Sequence, residues 1–246
     1  MSQSARLAGH VVLVTGAAGT LGSAMCRAIT DAGGTAIASD LATRADEGFI
    51  TIDVTAEEDW RRAVDTIATR YGRLDGLVNN AGIAITGDVE STSYADWRRV
   101  QAINVDGVFL GCKYAMPLLA KSKAASIVTI SSVSGIVGGH GVAAYNASKG
   151  AARLLSKSVA LTGARRSPPI RSNSVHPSFV EGEMVDALAR GSRDAERTLQ
   201  RMRDQVPMRR LARPQEVAEA VVWLLSPASS FMTGAELVLD GGLVAG

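Results

Sequence analysis

The stretch V11-V-L-V-T-G-A-A-G-T-L-G22 decides the fold. Five residues rich in β-branched side chains end at Thr15-Gly16, and a run of small residues then leads into a helical pattern from Leu21. A strand, a glycine-rich turn and a helix N-terminus in that order expose backbone N–H groups to a phosphate, whose charge the helix dipole favours. The glycines stand at 16, 19 and 22, with Thr20 and Leu21 between the last two. Alone, such a turn is weak evidence for a dinucleotide, because many α/β proteins carry one.

Working outward, short apolar runs alternate with amphipathic ones along the chain. Strands are predicted at His10–Thr15, Thr35–Ser39, Phe49–Val54, Leu74–Asn79, Ser126–Ser131, Arg171–His176 and Glu236–Asp240. Helices are predicted at Leu21–Ala32, Glu57–Tyr71, Trp97–Leu119, Ala144–Thr162 and Pro214–Leu225, the last opening on a proline, which suits a first helical turn. This alternation implies right-handed crossovers and a parallel sheet covered on both faces: a single Rossmann-type α/β domain over residues 1–246, doubly wound on seven strands. The connection from Asp40 to Phe49 is short for a parallel crossover. Residues 181–213 form a long charged segment beyond the sixth strand, where substrate lids of open α/β sheets lie.

Composition narrows the function. The 246 residues are 46% hydrophobic and 20% charged, as in a globular protein, and a formal charge of +2 is too mild for a nucleic-acid binder. Cys26 and Cys112 lie in apolar helical patterns and read as buried thiols of a reducing compartment. The opening MSQSARLAGH has no apolar signal core, and no stretch is long and apolar enough for a membrane span, so a cytoplasmic location is expected. No His/Cys/Asp cluster has metal-ligand spacing, and no metal is expected.

Asp40 closes the second strand 18 residues after Gly22, where a carboxylate accepts hydrogen bonds from ribose hydroxyls and repels a 2′-phosphate. Neither Ala17 nor Leu41 offers a cation to such a phosphate, so NAD is the expected cofactor; Arg44 is the one nearby residue of the opposite tendency.

Here the sequence resembles the classical short-chain dehydrogenase/reductase family, from Leu7 to about Gly242. The carrying motifs are the glycine turn, D53-V54, N79-N80-A81-G82, Y145-N-A-S-K149 and T233-GAELVLD-G-G242. By resemblance, Gly16, Gly19, Thr20, Leu21, Gly22, Asp40, Leu41, Asp53, Val54, Asn80, Ala81, Gly82, Tyr145, Lys149, Pro177 and Val180 bind the cofactor. Three departures stand out. Thr20 takes the place of the family's middle glycine. Ser178 follows Pro177 where the family often has Gly, and Gly182 stands where the family has a Thr near the nicotinamide. The third is the shortened segment after Asp40.

Tyr145 and Lys149 are four apart on a predicted helix and project from one face. A free tyrosine is mostly protonated at neutral pH, and a neighbouring ammonium stabilises its phenolate. Ser132, at the end of the fifth strand, is the expected hydrogen-bond donor to the reacting oxygen, whereas alternation points Ser131 to the other side. The resemblance implies that Asn104 holds a water linking Lys149 to solvent. Substrate contacts are expected from Ser134, His140, Met184 and Leu188, in the loop at 134–144 and the segment at 181–206. His176 reads as structural. Residues 192–206 read as a capped helix with an apolar stripe (Ala195, Leu199, Met202, Val206) opposite Arg193, Arg197 and Arg201. With the stripe over the active site, an apolar or alicyclic substrate fits better than an anionic one.

The expected activity is therefore NAD-linked interconversion of a secondary alcohol and a ketone, with a small cyclic or hydrophobic substrate and a lean toward hydroxysteroid-type members. Alternatives are an NADP-linked 3-oxoacyl (acyl-carrier) reductase and a catalytically silent nucleotide-binding scaffold. The family resemblance also implies a homo-oligomer, a tetramer or dimer.

Overall fold

The computed structural model describes residues 5–41, 48–192 and 194–246. Its strands are β1 (Val11–Thr15), β2 (Thr35–Asp40), β3 (Phe49–Thr51), β4 (Gly76–Asn79), β5 (Ser126–Ile130), β6 (Arg171–Pro177) and β7 (Glu236–Leu239). They form one sheet in the order β3-β2-β1-β4-β5-β6-β7, with every pairing parallel. The helices are α1 (Thr20–Asp31), α2 (Glu57–Tyr71), α3 (Tyr94–Gln101), α4 (Gly107–Leu119), α5 (Ala143–Gly163), α6 (Glu183–Arg190), α7 (Ala195–Gln205) and α8 (Pro214–Leu225).

The near-continuous apolar run of β1 follows from burial on both faces. Val11 and Leu13 pack with residues of α2 and α4, such as Trp60 and Leu119. Val12 and Val14 pack with residues of α1 and α8, such as Met25 and Val221. The order of strands reverses between β1 and β4, so a crevice opens beyond their C-terminal ends, the usual ligand position in such sheets.

Three expectations need correction. The helix predicted at Trp97–Leu119 starts earlier, at Tyr94, because the Ser93 hydroxyl accepts the Asp96 N–H at 3.0 Å and donates to the Asp96 carboxylate at 2.7 Å. It is also interrupted by a π turn over Ala102–Asp106, centred on Asn104; such turns gather at functional sites. The third strand ends at Thr51 rather than Val54. There the Asp53 carboxylate accepts both Thr55 groups and the Asp53 N–H goes to Asp59, turning the chain into α2.

The third concerns residues 181–213, which contain α6, absent from the sequence reading, as well as α7. Asp194 caps α7, accepting the Arg197 N–H at 3.0 Å. The stripe of α7 does not face the crevice. Met202 packs with Val185 of α6 and with Leu211, Leu188 and Leu199 in a small satellite core, and α6 is the helix that covers the crevice. Arg197 and Arg201 are exposed. The 42–47 connection, with Arg44, and Arg193 lie outside the described residues.

Candidate active site

The glycine turn is built by close approach. Gly16 has φ +65°, and a Cβ there would lie 2.8 Å from the Ala81 Cα. A Cβ on Gly22 would lie 2.2 Å from the Gly16 carbonyl oxygen, so both positions exclude any side chain. The turn is locked onto the segment after β4. The Thr15 hydroxyl donates to the Val78 carbonyl and accepts the N–H groups of Asn80 and Ala81, both at 3.0 Å. The Asn80 side chain donates back to the carbonyls of Thr15 at 2.9 Å and Gly16 at 3.1 Å. Asn80 thus spends its amide on shaping the turn. Gly19 stands at the α1 N-terminus with no side-chain cap, which leaves the first-turn N–H groups directed at the crevice.

Thr20 and Gly182, two departures from the family pattern, touch one another. Gly182 has φ +138°, and a Cβ there would fall 2.8 Å from both Cβ and Oγ1 of Thr20 and 2.9 Å from its Cγ2. The Thr20 side chain fills the space that a side chain at 182 would take.

The crevice is a cavity of about 1280 Å³, larger than an ordinary small-molecule pocket. Its lining includes every cofactor position expected from the sequence, together with Ser132, Met184 and Leu188. Asn104, Ser134 and His140 are not part of it. Asn104 is buried, His140 is exposed on its loop, and the Ser134 N–H turns back to the Ser132 hydroxyl at 3.1 Å. Further lining residues escaped the sequence reading, among them Ile83, Ile85 and Thr86 after β4, Arg99 and Ile103 on the interrupted helix, and Ala187 on α6. For those before α6 the only sequence signal is adjacency to NNAG and Asn104, and Ala187 has none beyond its place in the 181–213 segment.

At one end of the cavity, Asp40 accepts the N–H groups of Ala18 at 3.0 Å and Leu41 at 2.8 Å. Its carboxylate is fixed at the cavity wall with no ion-pair partner among the described residues.

At the other end, the first turns of α5 bring Tyr145 and Lys149 beneath Ser132. The Lys149 ammonium lies 5.6 Å from the centre of the Tyr145 ring and donates to the Ile130 carbonyl at 2.8 Å. Ser131 lines the cavity beside Ser132 rather than turning to the other side, and its hydroxyl donates to the Lys149 carbonyl at 2.9 Å, tying α5 to the end of β5. Burial pushes the Tyr145 phenol up, and the Ser132 hydrogen bond opposes that rise. Burial brings the Lys149 ammonium down to about 8. Asn104 grips the Ile83 peptide, accepting its N–H and donating to its carbonyl, both at 2.9 Å, and also donates to the Ser148 hydroxyl at 2.9 Å. A Cβ on Gly82 would sit 3.3 Å from Asn104 Oδ1 and 3.4 Å from Lys149 Nζ, so the two side chains meet at Gly82.

Residues 16–244 match the family model described as enoyl-(acyl carrier protein) reductase. The chain is 40% identical to cyclopentanol dehydrogenase of Comamonas sp. (strain NCIMB 9872), over 98% of this chain and 99% of that one. It is 38% identical to 3-alpha-(or 20-beta)-hydroxysteroid dehydrogenase of Mycobacterium tuberculosis (strain ATCC 25618 / H37Rv), over 99% and 92%. It is 35% identical to the NADP-dependent (R)-specific alcohol dehydrogenase of Lentilactobacillus kefiri, over 98% of each. Among solved structures, ligand-free aldohexose dehydrogenase of Thermoplasma acidophilum superposes with a TM-score of 0.91 at 36% identity, covering 96% of this chain and 94% of that one. The chain belongs to the short-chain dehydrogenase/reductase family, oxidoreductases that use a nicotinamide dinucleotide. The residues present fit such a group: two glycines whose Cβ atoms would fill the cradle, an uncapped helix N-terminus above them, and a carboxylate at the far wall.

Proposed function

We propose that the chain is an NAD-dependent dehydrogenase interconverting a secondary alcohol and a ketone, with Tyr145 as general acid/base. The observation that carries this reading is that Ser132, Tyr145 and Lys149 meet in the wall of the same cavity that begins at the glycine turn and Asp40. When bound, the dinucleotide supplies hydride chemistry at its nicotinamide ring. The Tyr145 oxygen takes the alcohol proton in oxidation and returns it in reduction, while the Ser132 hydroxyl holds the substrate oxygen. Lys149, whose ammonium lies 5.6 Å from the Tyr145 ring centre, favours the phenolate and would hold the nicotinamide ribose of a bound dinucleotide. Asn104 acts as a brace, holding the Ile83 peptide and α5 together behind Gly82, on the proton's way to solvent.

Asp40 supports NAD over NADP, because a fixed carboxylate there accepts ribose hydroxyls and repels a 2′-phosphate. A hydrophobic, cyclic substrate is supported by the apolar wall of Ile83, Ile85, Met184, Val185 and Leu188, and by relatives named for cyclopentanol and hydroxysteroids. Residues 181–213 serve as the lid of the site, a cap formed by α6 and backed by α7. Exposed Phe109, Leu154 and Leu161 on α4 and α5 support a homo-oligomer, dimer or tetramer.

The test is a rate assay on cyclic secondary alcohols with each cofactor, beside Tyr145→Phe. NAD is expected to exceed NADP by at least about tenfold in kcat/KM, and Tyr145→Phe to lower kcat by about 10²–10⁴-fold. Better turnover with NADP would overturn the cofactor assignment, and an unimpaired phenylalanine variant the role of Tyr145. Turnover confined to an acyl-carrier thioester with NADPH would replace the reading by that of a 3-oxoacyl reductase.

A further inference from the structure

His176 is fully buried on β6, and its ring bridges to the peptide of Ser132. The ladder between β5 and β6 runs from Ser126 opposite Arg171 to Ile130 opposite Val175, and its last bond is Ser131 N–H to the Val175 carbonyl at 2.8 Å. Past that point the chain leaves the sheet and enters a 3-10 turn over Val133–Gly135. Ser132 therefore sits where the backbone ladder has ended. Its carbonyl is held by two other donors, the Gly135 N–H at 2.9 Å and the His176 ring Nδ1 at 3.1 Å.

The protonation pattern of the ring follows from its partners. A carbonyl oxygen only accepts, so the hydrogen is on Nδ1. Nε2 then faces the Ser174 hydroxyl at 2.8 Å as an acceptor, two residues back on the same face of β6. Burial keeps the ring's basicity below its ordinary value; the Ser132 contact and Glu236 of β7 oppose that, and Arg153 and Lys149 of α5 reinforce it. The result is a relay of donors, Ser174 hydroxyl to His176 and His176 to the Ser132 carbonyl, with no charge to carry.

We propose that His176 is a positioning residue for the reaction: by holding the Ser132 peptide at the frayed end of β5, it aims the Ser132 hydroxyl at the Tyr145 oxygen. The inference rests on the reading of Ser132 and Tyr145 as the reacting pair. It assigns work to a side chain that by sequence alone is an ordinary core histidine. The Ser132 hydroxyl is otherwise weakly restrained, accepting the Ser134 N–H at 3.1 Å and lying 3.4 Å from the Pro177 carbonyl. A misplacement of the reacting groups by about 1 Å costs up to about 100-fold in rate.

The test compares His176→Asn with His176→Leu and His176→Gln. An asparagine amide nitrogen takes roughly the place of ring Nδ1, whereas a glutamine nitrogen takes roughly that of Nε2 and leucine supplies no donor. The leucine and glutamine variants are expected to lose about tenfold or more in kcat while KM and the dissociation constant for NAD stay within about twofold. Their pH–rate limb should also move upward, because the Ser132 bond that lowers the Tyr145 phenol is loosened. The asparagine variant should recover most of the rate and the parent's limb. Each variant is also made with Ser132→Ala. If His176 acts through Ser132, His176→Leu adds nothing to the loss already caused by Ser132→Ala. Losses that multiply, a leucine variant with parental kcat and pH profile, or an asparagine variant no better than leucine at equal melting temperature would overturn the proposal and leave the reacting pair intact. Full activity of Ser132→Ala alone would instead bring down the underlying reading.

Discussion

Placing a threonine at 182 tests the junction between the phosphate turn and α6. At φ +138° an L-residue is strained by about 1–3 kcal/mol. Its Cβ would also lie 2.8–2.9 Å from three atoms of Thr20, so the N-terminus of α6 must withdraw from that of α1. Both helix termini line the cavity, and the disturbance should therefore appear in binding. A loss of about 2 kcal/mol corresponds to a roughly 30-fold weaker dissociation constant. Thr20→Gly alone removes the obstructing atoms and is expected to weaken binding by no more than about tenfold. In Thr20→Gly/Gly182→Thr the steric part vanishes and only the backbone strain is left. The double variant should then bind at least about fivefold more tightly than the product of the single losses predicts, a coupling near 1 kcal/mol. Titration of NAD by calorimetry across the four proteins measures all three numbers. Additive losses, or a Gly182→Thr protein that binds as the parent does, would refute the claim that the two positions compete for one space.

Glu236 of β7 is held down to about 2 by the Arg153 hydrogen bond first and then by Lys157, at 2.8 and 2.5 Å. Its contribution to stability is complete above the ordinary value of 4.5 and disappears as pH falls toward 2. Thermal melting should therefore separate the parent from Glu236→Gln at pH 6 and bring them together near pH 2; a constant difference would contradict the assignment. Buried Asp75 accepts two bonds from Arg73, the Val11 N–H at 2.9 Å and the Ser122 hydroxyl. Asp75→Ala leaves the last two unpaired at the base of β1 and should cost about 2–4 kcal/mol in urea unfolding, with less than about 1 kcal/mol as the refuting result. Met184→Ala and Leu188→Ala, in the α6 wall of the cavity, should raise KM for a cyclic alcohol by about 5–30-fold in total with the NAD dissociation constant unchanged, and an equal effect on both ligands would place these residues elsewhere.

What the sequence determined by itself is what neighbours along the chain decide. Period-two and period-3.6 patterns depend on which residues share a face within one element, and they located all seven strands and six helical stretches to within a few residues. The same locality makes Tyr145 and Lys149 legible, being one helical turn apart, and Asp40 after its strand. The short helix α6 escaped because eight residues span barely two turns, too few for a periodic pattern to stand out in sequence, and its docking on Met202 and Leu211 decides it. The π turn at Asn104 likewise follows from packing, since its amide oxygen and amide nitrogen must reach the Ile83 peptide and Ser148 at once. Thr20 against Gly182 and His176 against Ser132 pair residues 162 and 44 positions apart. No local pattern encodes such pairs. They exist because strand order brings the C-terminal ends of β1, β5 and β6 to one edge of the sheet, where close packing leaves room for a single side chain at each meeting point.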